Sequence, residues 1–259
     1  MKANLERVKV LAESWKPEQV LAWAFATFGD NVEIATGFGV EGMALLDIAS
    51  RVNPDLKVFT GDTEFLFPET YDLIDRVEQK YQIKVERLYS ELTPEDQERT
   101  YGKALWARDP DQCCTLRKVE PLRRKLSTLD AWITAIRRDQ TSDRVGIRKL
   151  DWDSKFGLVK ISPLADWTRE MIWSYVVKHD VPYNPLHDRN YPSIGCTHCT
   201  RAVQPGGRRR RHGGRGRRRH ADYRCRPRPG PYARGLRSDP ESMIRRRKWL
   251  FRRVPGLNG

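Results

Sequence analysis

Apolar residues recur in two rhythms along the first 180 or so positions. Residues 4–13 and 17–28 carry them at helical spacing, and Pro17 sits where a first helical turn tolerates a residue without an N–H. A short strand-like run, Val32–Ala35, breaks at Thr36-Gly37-Phe38-Gly39, after which Met43, Leu46 and Ile48 resume a helical face. The alternation then repeats. Residues 56–59 predict a strand ending at Gly61-Asp62-Thr63, and Pro68 opens a helix with Tyr71, Ile74, Val77 and Tyr81 along it. Residues 83–88 and 131–136 complete the clear strands, and a last helix is predicted over 168–178, capped by Asp166 or Thr168. Strands alternating with helices predict an α/β fold whose largely parallel sheet is flanked by helices.

In such folds ligands bind beyond the carboxyl ends of the strands. The distinctive loops fall there: 36–42, 60–65 and 137–144. The first, ATGFGVEG, sets bare backbone amides before a helix, which suits an anion; a tight strand-to-helix turn is the plain alternative. The third, within ITAIRRDQTSDR, concentrates Arg137, Arg138 and Arg144 with Asp139 and Gln140. Guanidinium groups grip phosphate and sulfate bidentately, whereas a solvated basic turn needs no ligand.

Charge divides the chain. The net charge of +14 suggests nucleic acid until it is located: from Gly206 onward there are 19 Arg and Lys against 3 Asp and Glu, leaving the body almost neutral. A single domain and a tail are expected, residues 1–205 as a globular α/β body and 206–259 as a largely disordered Arg/Gly/Pro-rich tail. No apolar run reaches the roughly 18 residues of a membrane span, and the opening MKANLERVKVLAESW has no signal core, so a cytoplasmic location is expected.

Cys113 and Cys114 are adjacent, and Cys196 and Cys199 form a C-x-x-C pair far downstream. Two close pairs of thiolates suit a metal or an iron–sulfur cluster. Disulfides would need an oxidising compartment and a strained adjacent pair; zinc stays open on spacing alone.

The strings around these cysteines, DQCCTLRKVEPL and YNPLHDRNYPSIGCTHCTRAVQPG, together with the loops above, resemble assimilatory adenylyl-sulfate (APS) reductases of the phosphosulfate reductase family, from about residue 20 to residue 206. The resemblance implies an adenine nucleotide α-hydrolase-like fold related to ATP pyrophosphatases, and one [4Fe–4S] cluster on Cys113, Cys114, Cys196 and Cys199. It implies reduction of APS to sulfite and AMP in sulfate assimilation, with thioredoxin or glutaredoxin as reductant. Thr36, Gly37, Gly39 and Glu41 match the family's phosphate loop, with Gly42 where an Asp is common. In FTGDTEFLFPETY, Asp62 and Thr63 match a loop near the nucleotide, while Gly61 and Glu64 depart from it. Arg137, Arg138, Gln140 and Arg144 match the arginine loop.

Lys118, four residues after Cys114, would face the cluster if a helix runs on from the cysteines, where its charge offsets thiolates and can reach a sulfate. His187 and His198 are read as packing residues beside the site rather than ligands. Trp106, like Trp15, Trp23, Trp132, Trp152, Trp167 and Trp173, is read as core or half-buried surface.

In the family a C-terminal Glu-Cys-Gly-Leu-His string carries the nucleophile, which takes the sulfonate as an S-sulfocysteine that thioredoxin then reduces. This chain lacks that string. Cys225, flanked by Tyr223-Arg224 and Arg226-Pro227, is the one remaining candidate, with arginines to favour its thiolate; its neighbours differ from the family string, and the chain as written is expected to bind APS yet reduce it poorly or not at all. The tail reads either as a nucleic-acid-binding extension or as an out-of-frame read of a GC-rich gene. The other readings of the whole chain are a reductase of 3′-phosphorylated APS (PAPS), an ATP-pyrophosphatase-type adenylating or thiolating enzyme, and a nucleic-acid-binding protein acting through the tail.

Overall fold

Six strands form a single sheet in a computed structural model that describes residues 2–203. The strands are β1 (Val32–Ala35), β2 (Val58–Gly61), β3 (Val85–Leu88), β4 (Ala131–Thr134), β5 (Leu150–Asp153) and β6 (Leu158–Ile161), ordered β3-β2-β1-β4-β6-β5. Every pairing is parallel except that of β5, which runs antiparallel to β6 at the edge. The order turns back between β1 and β4, so their carboxyl ends bound the crevice where such sheets bind ligands.

The helices are α1 (Lys2–Ala12), α2 (Pro17–Phe28), α3 (Val40–Val52), α4 (Pro68–Tyr81), α5 (Pro94–Tyr101), α6 (Leu105–Arg108), α7 (Pro110–Cys114), α8 (Glu120–Leu126) and α9 (Arg169–Lys178). Side chains alternate across a strand, so each face of the sheet builds its own core. Ile34, Val58, Ile133 and Ile161 join Met43, Leu46, Ile74 and Ile172 in the larger core under α2, α3, α4 and α9. Phe59, Trp132 and Leu158 point the other way, onto Leu126 of α8. Each fully buried aliphatic or aromatic side chain contributes about 1.5–3 kcal/mol, which makes this three-layer arrangement the stable one.

The expected elements exist, with shifted ends. Residues 56–59 become Val58–Gly61 because pairing with Ile34 and Val85 sets the strand. Likewise 83–88 shortens to Val85–Leu88, 131–136 to Ala131–Thr134, and the helix at 4–13 starts earlier, at Lys2. Thr168 caps α9 by accepting from Met171 N at 3.2 Å, whereas Asp166 pairs with Lys149 at 2.7 Å.

β5 and β6 were not anticipated. The tail at 206–259, including Cys225, lies outside the described residues. Among the described residues no helix is long and apolar enough to cross a membrane.

Candidate functional site

The two cysteine pairs, so far apart in sequence, line one cavity with Phe65, Trp106, Pro110, Arg117, Lys118 and His198. Local structure delivers the first pair. Asp109 caps α7 by accepting from Gln112 N at 3.0 Å, Pro110 occupies its first turn, and Cys113 and Cys114 end it. Thr115–Val119 then forms a π turn. Pro121 accounts for it: lacking an N–H, it cannot continue the α ladder back to Arg117. The chain therefore does run on helically, and Lys118 lines the cavity as the spacing from Cys114 predicts.

The second pair is pinned to the loop after β2. Leu66 and Cys196 form an isolated antiparallel bridge, Thr197 N donates to Phe65 O at 2.8 Å, and Thr63 Oγ1 lies 3.2 Å from Cys196 Sγ. Cys199 N and Thr200 N both donate to Cys196 O at 3.0 Å, closing the turn that holds Cys199 next to its partner.

None of these four cysteines is joined in a disulfide. Burial first, and then the neighbouring Cys114 and Cys196, push the Cys113 thiol up to about 11, with Arg117 opposing them. Cys199 is also raised, first by burial and then by Cys196 and Cys114, against Lys118. Thiols that suppress one another's ionisation need a cationic partner to become thiolates together. Among the described residues no group of three or more His, Cys, Asp or Glu closes around a metal ion. Four sulfurs around one cavity are a donor set of the kind that metal ions and iron–sulfur clusters take.

Two residues behind this cavity escaped the sequence reading. Arg117 is 1% exposed and fully engaged: Nε donates to Gln97 Oε1 at 2.7 Å, Nη1 to Thr63 O at 3.1 Å and Glu64 Oε2 at 2.9 Å, and Nη2 to Leu92 O at 3.4 Å. Its guanidinium also lies 4.7 Å from the centre of the Phe65 ring. Gln97 in turn donates toward Cys113 Sγ at 3.9 Å. The signal was present in sequence as a charged residue three positions after a cysteine, but surface arginines look the same. Trp106 is the other. It stacks on His198 with centroids 4.4 Å apart and planes 5° from parallel, and Phe65 meets the same imidazole edge-on at 5.0 Å. Trp106 thus walls the cavity, and His198 is the packing residue expected of it.

Asp62 and Thr63 are 2% and 1% exposed. Asp62 accepts from Glu64 N and from Tyr71 Oη, both at 2.9 Å, and with burial it raises the Tyr71 phenol. Asp62 therefore builds the turn, and Thr63 faces Cys196. Glu64 adopts φ +59°, a left-handed conformation that costs a side-chain-bearing residue, and Arg117 holds it there.

The third region lies at the crevice between β1 and β4. Phe38 takes φ +56°, its N–H donates to Thr36 Oγ1 at 3.0 Å, and Gly39 caps α3. A Cβ on Gly42 would stand 2.3 Å from Thr36 Oγ1, so a side chain at this position, where the family often carries Asp, would force Thr36 to move. Glu41 Oε1 accepts from Arg137 Nη2 at 3.0 Å and Gln140 Nε2 at 3.1 Å. Burial raises the Glu41 carboxyl, but its own backbone N–H, Arg137 and Gln140 outweigh that and hold it below the usual carboxylate range.

Arg137 also donates to Asp139, and Arg144 to Gln140 Oε1. Arg138 does not join them: it turns to Glu13 and to Ile147 O at 2.7 Å. The structure thus brings Glu41, Arg137, Gln140 and Arg144 together and sends Arg138 elsewhere. His187 Nδ1 donates to Tyr191 O, 2.8 Å away; the ring packs against Trp173, and burial lowers it.

Residues 31–202 match the model of the phosphoadenosine phosphosulfate reductase domain. An adenosine 5′-phosphosulfate reductase of Halalkalibacterium halodurans is 45% identical across 80% of this chain and 90% of its own length, and one of Shouchella clausii is 42% identical across 78% and 85%. The crystal structure of a phosphoadenylyl-sulfate reductase from Candida auris, in a phosphate complex, superposes with a TM-score of 0.70 at 29% identity, covering 77% of this chain and 97% of that one. A mostly parallel sheet with a switch point, the matched strings and these likenesses agree: the chain belongs to the phosphoadenosine phosphosulfate reductase family.

Proposed function

We propose that this chain reduces adenylyl sulfate to sulfite and AMP, drawing two electrons from thioredoxin or glutaredoxin, as a step of sulfate assimilation. It is an oxidoreductase acting on a sulfur group. The observation that carries the reading is the single cavity shared by Cys113, Cys114, Cys196, Cys199 and Lys118, beside the loop that leaves β2. The relatives named adenosine 5′-phosphosulfate reductase support the substrate.

The four cysteines are the ligands of one [4Fe–4S] cluster in this reading. When bound, the cluster supplies a compact charged group that ties residues 110–118 to residues 63–66 and 195–200. Lys118 offsets thiolate charge there and offers a cation to the sulfate end of the substrate. Arg137, Gln140 and Arg144 with Glu41 form the nucleotide side of the crevice. A thiolate attacks the sulfate sulfur, the S–O bond to phosphate breaks, and AMP leaves as the anion. A thiol of the reductant then attacks the resulting S-sulfocysteine, sulfite departs, and the reductant's second thiol releases the enzyme as its own disulfide forms. Cys225 is the remaining cysteine for the attack.

Single-turnover mixing of the full chain with sulfur-labelled APS tests this. Label bound at Cys225 that reduced thioredoxin releases as sulfite is the expected result, and the Cys225→Ser protein should acquire none. No protein-bound label and no sulfite from the wild type would sink the reading. Anaerobically purified protein should hold about four irons and four sulfides; stoichiometric zinc under iron-replete conditions would refute the cluster.

A further inference from the structure

A second cavity lies against the first, across a wall of aromatic rings. This outer cavity, of about 200 Å³, is bordered by Glu95, Glu98, Gly102 and Ala104, all exposed, so it opens to solvent. Its inner side includes Phe65, Trp106 and His198, and the same three side chains line the cysteine cavity. The rings meet at the imidazole: Trp106 lies flat on it at 4.4 Å, and Phe65 meets it edge-on at 5.0 Å.

Cys113 depends on this wall for its cover. It is 7% exposed and buried with Leu105 and Leu116, and Trp106 packs against that cluster. Gln97, which also lines the outer cavity, donates toward Cys113 Sγ at 3.9 Å. Cys196 is equally buried by other means, the bridge to Leu66 and the Thr63 hydroxyl. The segment that carries Trp106 is held in place by its surroundings. Helix α6 has only four residues, and the chain enters it through Gly102 at φ +79° and Ala104 at φ +53°, the second costly for a residue with a side chain. Arg108 ties the segment together, donating from Nε to Lys103 O at 2.9 Å and from Nη2 to Tyr101 O.

We infer that Trp106 is the shutter between the solvent-open outer cavity and the cysteines, and that it sets how fast small solutes reach Cys113. A thiol reacts according to its exposure, and an indole covers more area than any other side chain. The inference rests on the function proposed above only for what is protected: with the cluster bound, the same wall keeps dissolved oxygen away from it. For the bare thiols it holds whether or not the cluster reading stands.

Two measurements on the full chain test it. Anaerobically purified protein, moved into air-saturated buffer, should lose its visible absorbance about tenfold faster as Trp106→Ala than as wild type, and Trp106→Phe should stay within about threefold. The metal-free chain is then treated with iodoacetamide, whose iodide the thiolate sulfur displaces, and each cysteine is followed by peptide mass. Trp106→Ala should speed the labelling of Cys113 about tenfold while leaving the exposed Cys199 within about twofold. Arg108→Ala, which keeps every ring of the wall and removes only the tie, should speed Cys113 about threefold. Wild-type rates at Cys113 in Trp106→Ala would overturn the inference. So would an equal rise at Cys196, since that is general loosening of the site. A colourless wild type would overturn the cluster and not the shutter, which the labelling decides alone.

Discussion

Thr63 and Cys196, 133 residues apart in the chain, meet with Oγ1 3.2 Å from Sγ. Thr63 also accepts from Phe65 N at 3.3 Å, so one hydroxyl joins the turn after β2 to the second cysteine pair. Thr63→Val keeps the shape and removes that hydroxyl. It should cost about 1 kcal/mol in urea unfolding of the metal-free protein. Iron should also leave the loaded protein faster, read as loss of visible absorbance under a chelator. An unchanged unfolding midpoint and an unchanged bleaching rate would show the contact to be idle.

Glu64 carries two opposed effects, a left-handed backbone at φ +59° and a 2.9 Å pairing with the buried Arg117. Glu64→Ala loses the pairing and keeps the strain; Glu64→Gly loses the pairing and relieves it. The glycine variant should therefore be the more stable of the two by about 1 kcal/mol, with both below wild type. Chemical denaturation of the three proteins checks the order, and an alanine variant equal to the glycine one would mean the backbone relaxes out of this conformation.

Gly42 and Thr36 are coupled by contact. With a would-be Cβ only 2.3 Å from Thr36 Oγ1, Gly42→Ala forces the threonine to move and should cost about 1–3 kcal/mol. Thr36→Ala removes the obstructing atom, so the double variant should recover most of that loss relative to Thr36→Ala alone. A double-mutant cycle measures it; additive effects would contradict the clash.

Glu41 also predicts a pH dependence. Its carboxyl is held below the ordinary glutamate value of 4.5, so the folded state binds this proton less readily than the unfolded chain. The stability it contributes is present above about pH 4.5 and is lost as the pH falls through the folded value. The stability gap between wild type and Glu41→Gln should accordingly be widest at neutral pH and shrink below pH 4.5. Unfolding midpoints at pH 7 and pH 3.5 test this, and a gap that grows in acid would reverse the sign.

Elements with a strong local signal were legible without the fold. Val32–Ala35, the glycine turn after it and the helix opened by Pro68 were visible because burial on one face imposes a period that sequence alone carries. The edge hairpin was not. Leu150–Asp153 reads LDWD and Leu158–Ile161 reads LVKI, four residues each with charge inside, and only the pairing of β6 with β4 and of β5 with β6 makes them strands.

The site divides in the same way. Residue type and motif order by themselves determined which cysteines belong together, that Lys118 shares their side, and that the glycine loop and the arginine loop meet beyond the strands, since metal chemistry and parallel-sheet topology depend on little else. Which groups face which was decided only in three dimensions. Arg117 looks like any helix arginine until Gln97, Thr63, Glu64 and Leu92 surround it, and Trp106 like any core aromatic until His198 stacks on it. Arg137 and Arg138 are adjacent and alike in sequence, yet one is buried against Glu41 and the other turned to Glu13. Ion pairs and stacking act over a few ångströms between residues as far as 125 positions apart, and no local pattern records a contact that the folded chain alone creates.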